Sequence, residues 1–143
     1  MMNDAFKRAV QDICRKDPRY SRYAYDYVAN VLDELIQESR QGHPDQPPRH
    51  ITGSELARTI GADLVYDYGP LASSVLRAWG VSSTSDFGDI VYNLIEAKQL
   101  SASPDDKRSD FDNVYDFHAA FDAPYEPPFP PPYDFKVPPP EDQ

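Results

Sequence analysis

Ser21-Arg22-Tyr23-Ala24-Tyr25-Asp26-Tyr27-Val28-Ala29-Asn30-Val31-Leu32-Asp33-Glu34-Leu35-Ile36 carries the strongest helical periodicity in the chain. Ala24, Tyr27, Val28, Val31, Leu32, Leu35 and Ile36 recur every three or four residues, so a 3.6-residue turn gathers them into one apolar stripe. The spacing predicts a long amphipathic helix starting near Ser21 and closed by Gly42. Towards the N-terminus, Phe6, Val10, Ile13 and Cys14 form a second stripe. Asn3 or Asp4 can cap its start, and Pro18 forces an end by Asp17. Towards the C-terminus, Gly42–His50 holds three prolines and two histidines and is read as a loop. Thr52-Gly53-Ser54-Glu55 then fits a capping box, opening a helix that buries Leu56, Ile60, Leu64 and Tyr68. Gly69-Pro70 ends that helix and starts a short one, with Leu71, Val75, Leu76 and Trp79 inward and Gly80 as its stop. Ser83 and Asp86 cap a fifth, with stripe Phe87, Ile90, Val91, Leu94 and Ile95. Gly88 within it costs about 1 kcal/mol against alanine, a cost that a closely crossing helix would explain.

Through Leu100 nothing alternates with period two, so the fold class is all-α. The expectation is a compact orthogonal bundle of about five helices with sharp corners at Gly69 and Gly80. Beyond Leu100 the character changes. Ser103-Pro104-Asp105-Asp106 is an acidic turn. Ser109 to Phe121 is acidic and aromatic, and as a short C-terminal helix it would place Phe111, Val114, Tyr115, His118 and Phe121 on one side. Residues 1–122 are therefore read as one helical domain, with a core over 4–100 and the acidic-aromatic segment over 101–122. Residues 123–143 are read as a Pro-rich, extended tail.

The 143 residues carry 15 prolines and a formal charge of −10. Neither excess is evenly spread. Residues 1–100 hold 14 acids and 11 bases, whereas residues 101–143 hold 10 acids and 3 bases. Nine of the prolines lie between Pro124 and Pro140. No apolar run exceeds three residues, which argues against a membrane span or a signal peptide. The single Cys14 has no disulfide partner within the chain, and a cytoplasmic location is the expectation.

Four blocks of sequence carry a resemblance. Asp17-Pro18-Arg19-Tyr20 with Ala24-Tyr25-Asp26-Tyr27-Val28 is the first, and Arg49-His50-Ile51-Thr52-Gly53-Ser54-Glu55-Leu56 the second. The third runs from Tyr68-Gly69-Pro70-Leu71 through Val75-Leu76-Arg77-Ala78-Trp79-Gly80-Val81 to Asp86-Phe87-Gly88-Asp89-Ile90-Val91-Tyr92-Asn93-Leu94. The fourth is Ser109-Asp110-Phe111 through Tyr115-Asp116-Phe117 with Ala120-Phe121. From Phe6 to Phe121 the chain resembles an uncharacterised family of small bacterial helical proteins seen mainly in planctomycete- and verrucomicrobium-type lineages. The resemblance implies a bacterial, cytoplasmic protein whose acidic-aromatic segment belongs to the folded body. It implies no activity, cofactor or catalytic residue, and it leaves the Pro-rich tail outside.

His43, Asp45 and His50 share one loop, but a zinc site needs three or four ligands and only the distant His118 offers another imidazole. No metal or other cofactor is expected, His43 being read as solvated and His50 as hydrogen-bonding near the start of the third helix. Asp63 with Asp67, and Asp86 with Asp89, share helix faces, yet a first-turn pair such as the latter suits the helix dipole without any catalytic role. Cys14 lies on an apolar stripe. No nucleophile elbow, phosphate loop or dinucleotide fingerprint occurs, so catalysis has no positive sign. Leu71–Trp79 carries only Arg77, and Phe87–Leu100 holds Asp89 and Glu96 against Lys98, which argues against DNA.

Lys7, Arg8, Arg15, Lys16, Arg19 and Arg22 form one basic cluster beside Tyr20, Tyr23, Tyr25 and Tyr27. Not all of these tyrosines can face one core, and exposed tyrosine beside arginine is interface composition. Pro130-Pro131-Pro132-Tyr133 fits a peptide-recognition pattern, with Tyr125, Phe129 and Phe135 spaced around it. The favoured reading of that segment is a mostly flexible tail with transient docking.

The primary expectation is thus a non-catalytic protein-interaction or adaptor protein of unidentified partner. It would bind through Arg15, Lys16, Arg19, Tyr20, Arg22, Tyr23 and Tyr25 and through Tyr125, Phe129, Tyr133 and Phe135. The alternatives are an RNA- or ribosome-associated protein using the basic patch, and an enzyme using Asp and His groups near His50.

Overall fold

The computed structural model describes residues 3–41, 45 and 49–126. Five α-helices, α1 (Asp4–Lys16), α2 (Arg22–Ser39), α3 (Gly53–Tyr68), α4 (Ala72–Trp79) and α5 (Thr84–Glu96), form an all-α bundle. There is no strand among the described residues. The helix starts follow local side-chain chemistry. Asn3, Ser21 and Thr52 accept hydrogen bonds from the amides of Phe6, Tyr23 and Glu55, and Ser83 with Asp86 forms a reciprocal capping box. Gly80, at φ +82°, ends α4 in the left-handed conformation.

The core is built from Phe6 and Val10 of α1, Tyr25, Val28 and Val31 of α2, Leu56, Ile60 and Leu64 of α3, Leu76 of α4, and Phe87, Ile90 and Leu94 of α5, all buried. Helix α2 packs against α1, α3, α4 and α5, so its buried arc is wider than a single stripe. Tyr25 and Ala29 are therefore buried along with Val28, while Tyr27, Leu32 and Ile36 are half-buried. Tyr27 instead joins Tyr68 and Trp79 in an aromatic group, its ring 5.2 Å from Trp79.

Two local expectations are corrected. Leu71 does not face inward: a 3₁₀ turn at Gly69–Leu71 separates α3 from α4 and leaves Leu71 exposed, so Ala72 and Leu76 form the inner edge. Nor do residues 109–121 form one helix. They make a 3₁₀ turn (Arg108–Phe111), a π turn (His118–Asp122) and a further 3₁₀ turn (Ala123–Tyr125). The aspartates bond locally instead of supporting an α-helix: Asp110 accepts from the Lys107 amide at 3.1 Å and Asp116 from the Ala119 amide at 2.9 Å. Asn113, at φ +51°, turns the chain between them.

The segment nevertheless belongs to the body. Phe111 and Phe121 are buried, and Phe87, Tyr115, Phe117 and Phe121 pack ring on ring. Thr84 donates its hydroxyl to the Phe111 carbonyl at 2.6 Å and accepts from the Val114 amide at 3.2 Å. What crosses Gly88 is the Phe111 side chain and not a helix: a Cβ at Gly88 would lie 3.0 Å from the Phe111 Cβ. On its other side the ring meets Gly53, where a Cβ would lie 2.9 Å from Cε2. Residues 97–112 thus lie as a strap over α3 and α5.

Candidate functional site

Three residues of the Arg/Tyr region, Arg19, Tyr20 and Tyr25, are engaged inside the protein. The Asp17 carboxylate receives Nε and an Nη of Arg19 at 2.8 and 2.7 Å, and the other Nη donates to Asp89 at 3.0 Å. Arg108, from the strap, pairs with the second oxygen of the same Asp89. The Tyr20 hydroxyl lies 2.5 Å from Asp86 and 2.9 Å from Asp89. Asn93 donates to Asp17 at 3.1 Å and to the Tyr25 hydroxyl at 3.0 Å.

The protonation preferences follow from these contacts. Hydrogen bonds from Arg19 hold the Asp17 carboxyl far below the usual range, against an opposing push from burial. Burial raises Asp86, but hydrogen bonds from Tyr20, Ser82 and Ser83 outweigh it and leave the carboxyl lowered. Burial and then Asp86 push the Tyr20 phenol upwards.

Tyr20 and Tyr25, read from the sequence as partner-facing, are buried at 3% and 0% exposure. Their hydroxyls serve the internal network, which is the physical reason for that correction. Arg19 is half-exposed, with its guanidinium shared between two carboxylates. The exposed remainder comprises Arg15, paired with Asp12, together with Lys16, and Arg22 stacked on Tyr23. Tyr23 is 55% and Tyr125 is 43% exposed. Phe129, Tyr133 and Phe135 lie outside the described residues, as does His43. Cys14 is half-buried, its thiol pushed up by burial and by Asp17, which makes it a poor nucleophile.

A second region is better formed as a site. A cleft of about 630 Å³ opens between the C-terminal half of α2, the start of α3, the end of α5 and the strap. Its floor is apolar, with Leu32, Ile36, Ile51, Leu56 and Ile95, and its rim is charged. Local structure builds each wall. Thr52 caps α3, so Arg49 and His50 ride on its N-terminus, where Arg49 forks onto Glu55 at 2.8 and 2.5 Å. That contact lowers the Glu55 carboxyl. At the far wall Lys98 takes φ +63° and turns the chain away from α5, the Gln99 amide bonding the Leu94 carbonyl at 2.9 Å. Leu100–Ala102 then runs without secondary structure along the cleft.

His50 does not bond near the α3 start as expected; its Nε2 lies 2.9 Å from Asp106 across the mouth. Asp106 is positioned by the Ser103 amide at 2.8 Å. In the same cleft, the Tyr92 hydroxyl is shielded from solvent and has no hydrogen-bond partner among the described residues. Its phenol is raised by burial and then by Asp106 and Asp110. Lys98 and Lys107, on the rim, make no ion pair among the described residues.

No hydroxyl hydrogen-bonds His50 among the described residues. No three of His, Cys, Asp and Glu gather as a metal-holding group among them. His118 faces Asp122 and Glu126 instead. No described helix is long and apolar enough to cross a membrane. The fold and site together define an all-α bundle with a strap-walled cleft. No family model, curated protein or solved structure matches the chain.

Proposed function

We propose that this chain is a non-catalytic protein-interaction module that holds an extended peptide segment of a partner in the cleft beside His50. The observation that carries the reading is the wall Leu100–Ala102. Its backbone groups make no hydrogen bond within the described chain, and it runs beside an apolar floor flanked by Lys98 and Lys107. Exposed backbone donors and acceptors next to apolar pockets are what an added strand uses for affinity and specificity. The cleft volume falls in the range of ligand sites, roughly 300–1,000 Å³. RNA association is the weaker reading, because the basic cluster gives up Arg19 to Asp17 and Asp89.

A cytoplasmic location and membership of the bacterial family that the four blocks resemble are part of this proposal. The four blocks carry that resemblance in the sequence, and in the fold they meet: Asp17, Arg19, Tyr20 and Tyr25 of the first contact Asp86, Asp89 and Asn93 of the third. Phe111 of the fourth lies against Gly53 of the second.

The test is selection from a displayed library of linear peptides against the full chain. Peptides combining an aromatic with acidic residues are expected. Their affinity should fall about tenfold on Lys98→Glu with Lys107→Glu, two rim charges worth up to about 1 kcal/mol each. No enrichment, or undiminished binding to the doubly reversed variant, overturns the reading.

A further inference from the structure

We propose that the cleft is a self-site: Tyr133-Asp134-Phe135-Lys136-Val137 of this same chain occupies it in cis, and a partner peptide must displace that segment. The proposal rests on the peptide-binding reading of the cleft and names its resident occupant.

Chain geometry gives the reach. The described chain leaves the body at Glu126, just after the turn at Ala123–Tyr125. The preceding π turn packs on α4 and on the turn at Gly69–Leu71. That is the C-terminal end of α3, whereas the cleft lies at its N-terminal end, with Thr52, Gly53 and Leu56 in its wall. Helix α3 has 16 residues and so is about 24 Å long at 1.5 Å per residue. Extended chain at about 3.1 Å per residue covers that length in about eight residues. Counting from Glu126, eight residues arrive at Asp134.

The sequence at that distance has the right chemistry. Seventeen residues follow Glu126, and prolines without a backbone N–H interrupt all but two stretches of them. The longer stretch is Tyr133–Val137, five successive amides able to pair with the exposed backbone of Leu100–Ala102. Within it Tyr133, Phe135 and Val137 alternate with Asp134 and Lys136, so an extended backbone turns three apolar side chains to one face. That face matches the floor of Leu32, Ile36, Ile51, Leu56 and Ile95. Asp134, with Glu141 and Asp142 beyond, offers carboxylates to Lys98 and Lys107, which line the cleft alongside Asp106 and Asp110 but form no ion pair among the described residues. Tethering gives such a segment an effective concentration in the millimolar range, so a weak peptide suffices to fill the site. An outside peptide must then exceed both its own dissociation constant and this competition.

The experiment uses the full chain with Phe135→p-benzoylphenylalanine, irradiated at low micromolar concentration and mapped by mass spectrometry. Intramolecular cross-links to residues 98–103 or to the Ile51–Leu56 wall are expected. Cross-links confined to the exposed Tyr66 and Leu71 face, links between two molecules, or no link at all overturn the proposal. Hydrogen exchange supplies a second readout without the probe. The Ser101 and Ala102 amides should exchange at least about tenfold faster in Tyr133→Asp with Phe135→Asp than in the wild-type chain, and equal rates overturn it. The same double variant separates the two readings. If selected peptides bind it and the wild type equally, the self-site is wrong while the cleft reading stands. If they bind neither, the cleft reading itself fails.

Discussion

Substituting Gly80 isolates how the α1–α2 connection is held. Gly80 sits at φ +82° and ψ 15°, and a Cβ built there would lie 2.2 Å from the Arg19 carbonyl oxygen. That oxygen cannot swing away as a side chain would. The neighbouring backbone is tied to the same corner by the Ser21 amide, which donates to the Trp79 carbonyl at 3.0 Å. Two separate costs follow. A left-handed alanine loses about 1–2 kcal/mol, whereas asparagine tolerates that conformation and loses little. Any Cβ, however, must push the Arg19 backbone back by about an ångström to reach ordinary contact. This sacrifices the Ser21–Trp79 hydrogen bond, worth about 1 kcal/mol, and misaligns Arg19 and Tyr20 against Asp89 and Asp86 for about another 1–2 kcal/mol. Gly80→Asn is therefore expected to lose about 2–3 kcal/mol and Gly80→Ala about 3–5 kcal/mol. Urea unfolding followed by helical circular dichroism and by the fluorescence of Trp79, the sole tryptophan, measures both. Gly80→Asn within about 0.5 kcal/mol of the wild type refutes the reasoning, because conformational strain alone would then account for the glycine.

Tyr92→Phe removes a shielded hydroxyl that has no partner, so urea unfolding should show a gain of up to about 1 kcal/mol; a loss shows that the hydroxyl is paired. Phe111→Ala empties the slot between Gly53 and Gly88 and should cost about 3–5 kcal/mol, with faster hydrogen exchange confined at first to residues 98–114; uniform acceleration across all five helices contradicts the strap assignment. Burial, then Asp67 and Glu38, raises the Asp63 carboxyl, which disfavours the ionised form in the folded state, so the penalty is present at neutral pH and relieved as pH falls through the raised value. Asp63→Asn should accordingly be more stable by a few tenths of a kcal/mol at pH 7, with the gain disappearing towards pH 4; an equal difference at both pH values rules out that origin.

The helices and their starts were legible because the signals are local: an apolar stripe, an Asn3, Ser21, Thr52 or Ser83 one residue ahead of it, a glycine behind it. Gly88 also signalled a close approach correctly in kind, although what approaches is the Phe111 ring. Tyr25 was misread because the width of a helix's buried arc depends on its number of neighbours, and α2 has four. Asp89 was read as a first-turn charge, since nothing at i, i+3 spacing points to Arg19, 70 residues away, or to Arg108. His50 was singled out, but its partner Asp106 is presented by a turn whose register is set through the Ser103 amide. The cleft has no motif because its walls come from four separate segments.

The strap changes how the charge imbalance of this chain should be understood. Ten of the 24 acids follow Leu100, and several of those in residues 101–126 have structural tasks. Asp106 meets His50, Asp110 and Asp116 hold turns, and Asp112 accepts from Ser85. The strap is fastened at three kinds of contact: Phe111 between two glycines, Thr84 on the backbone at both sides of Asp112, and Arg108 on Asp89. Asp89 also holds Arg19, so one carboxylate couples the strap to the α1–α2 connection. With either arginine withdrawn, the other still balances the Asp89 charge one to one, so the carboxylate joins the strap and the α1–α2 connection at one point of α5 without obliging them to release together.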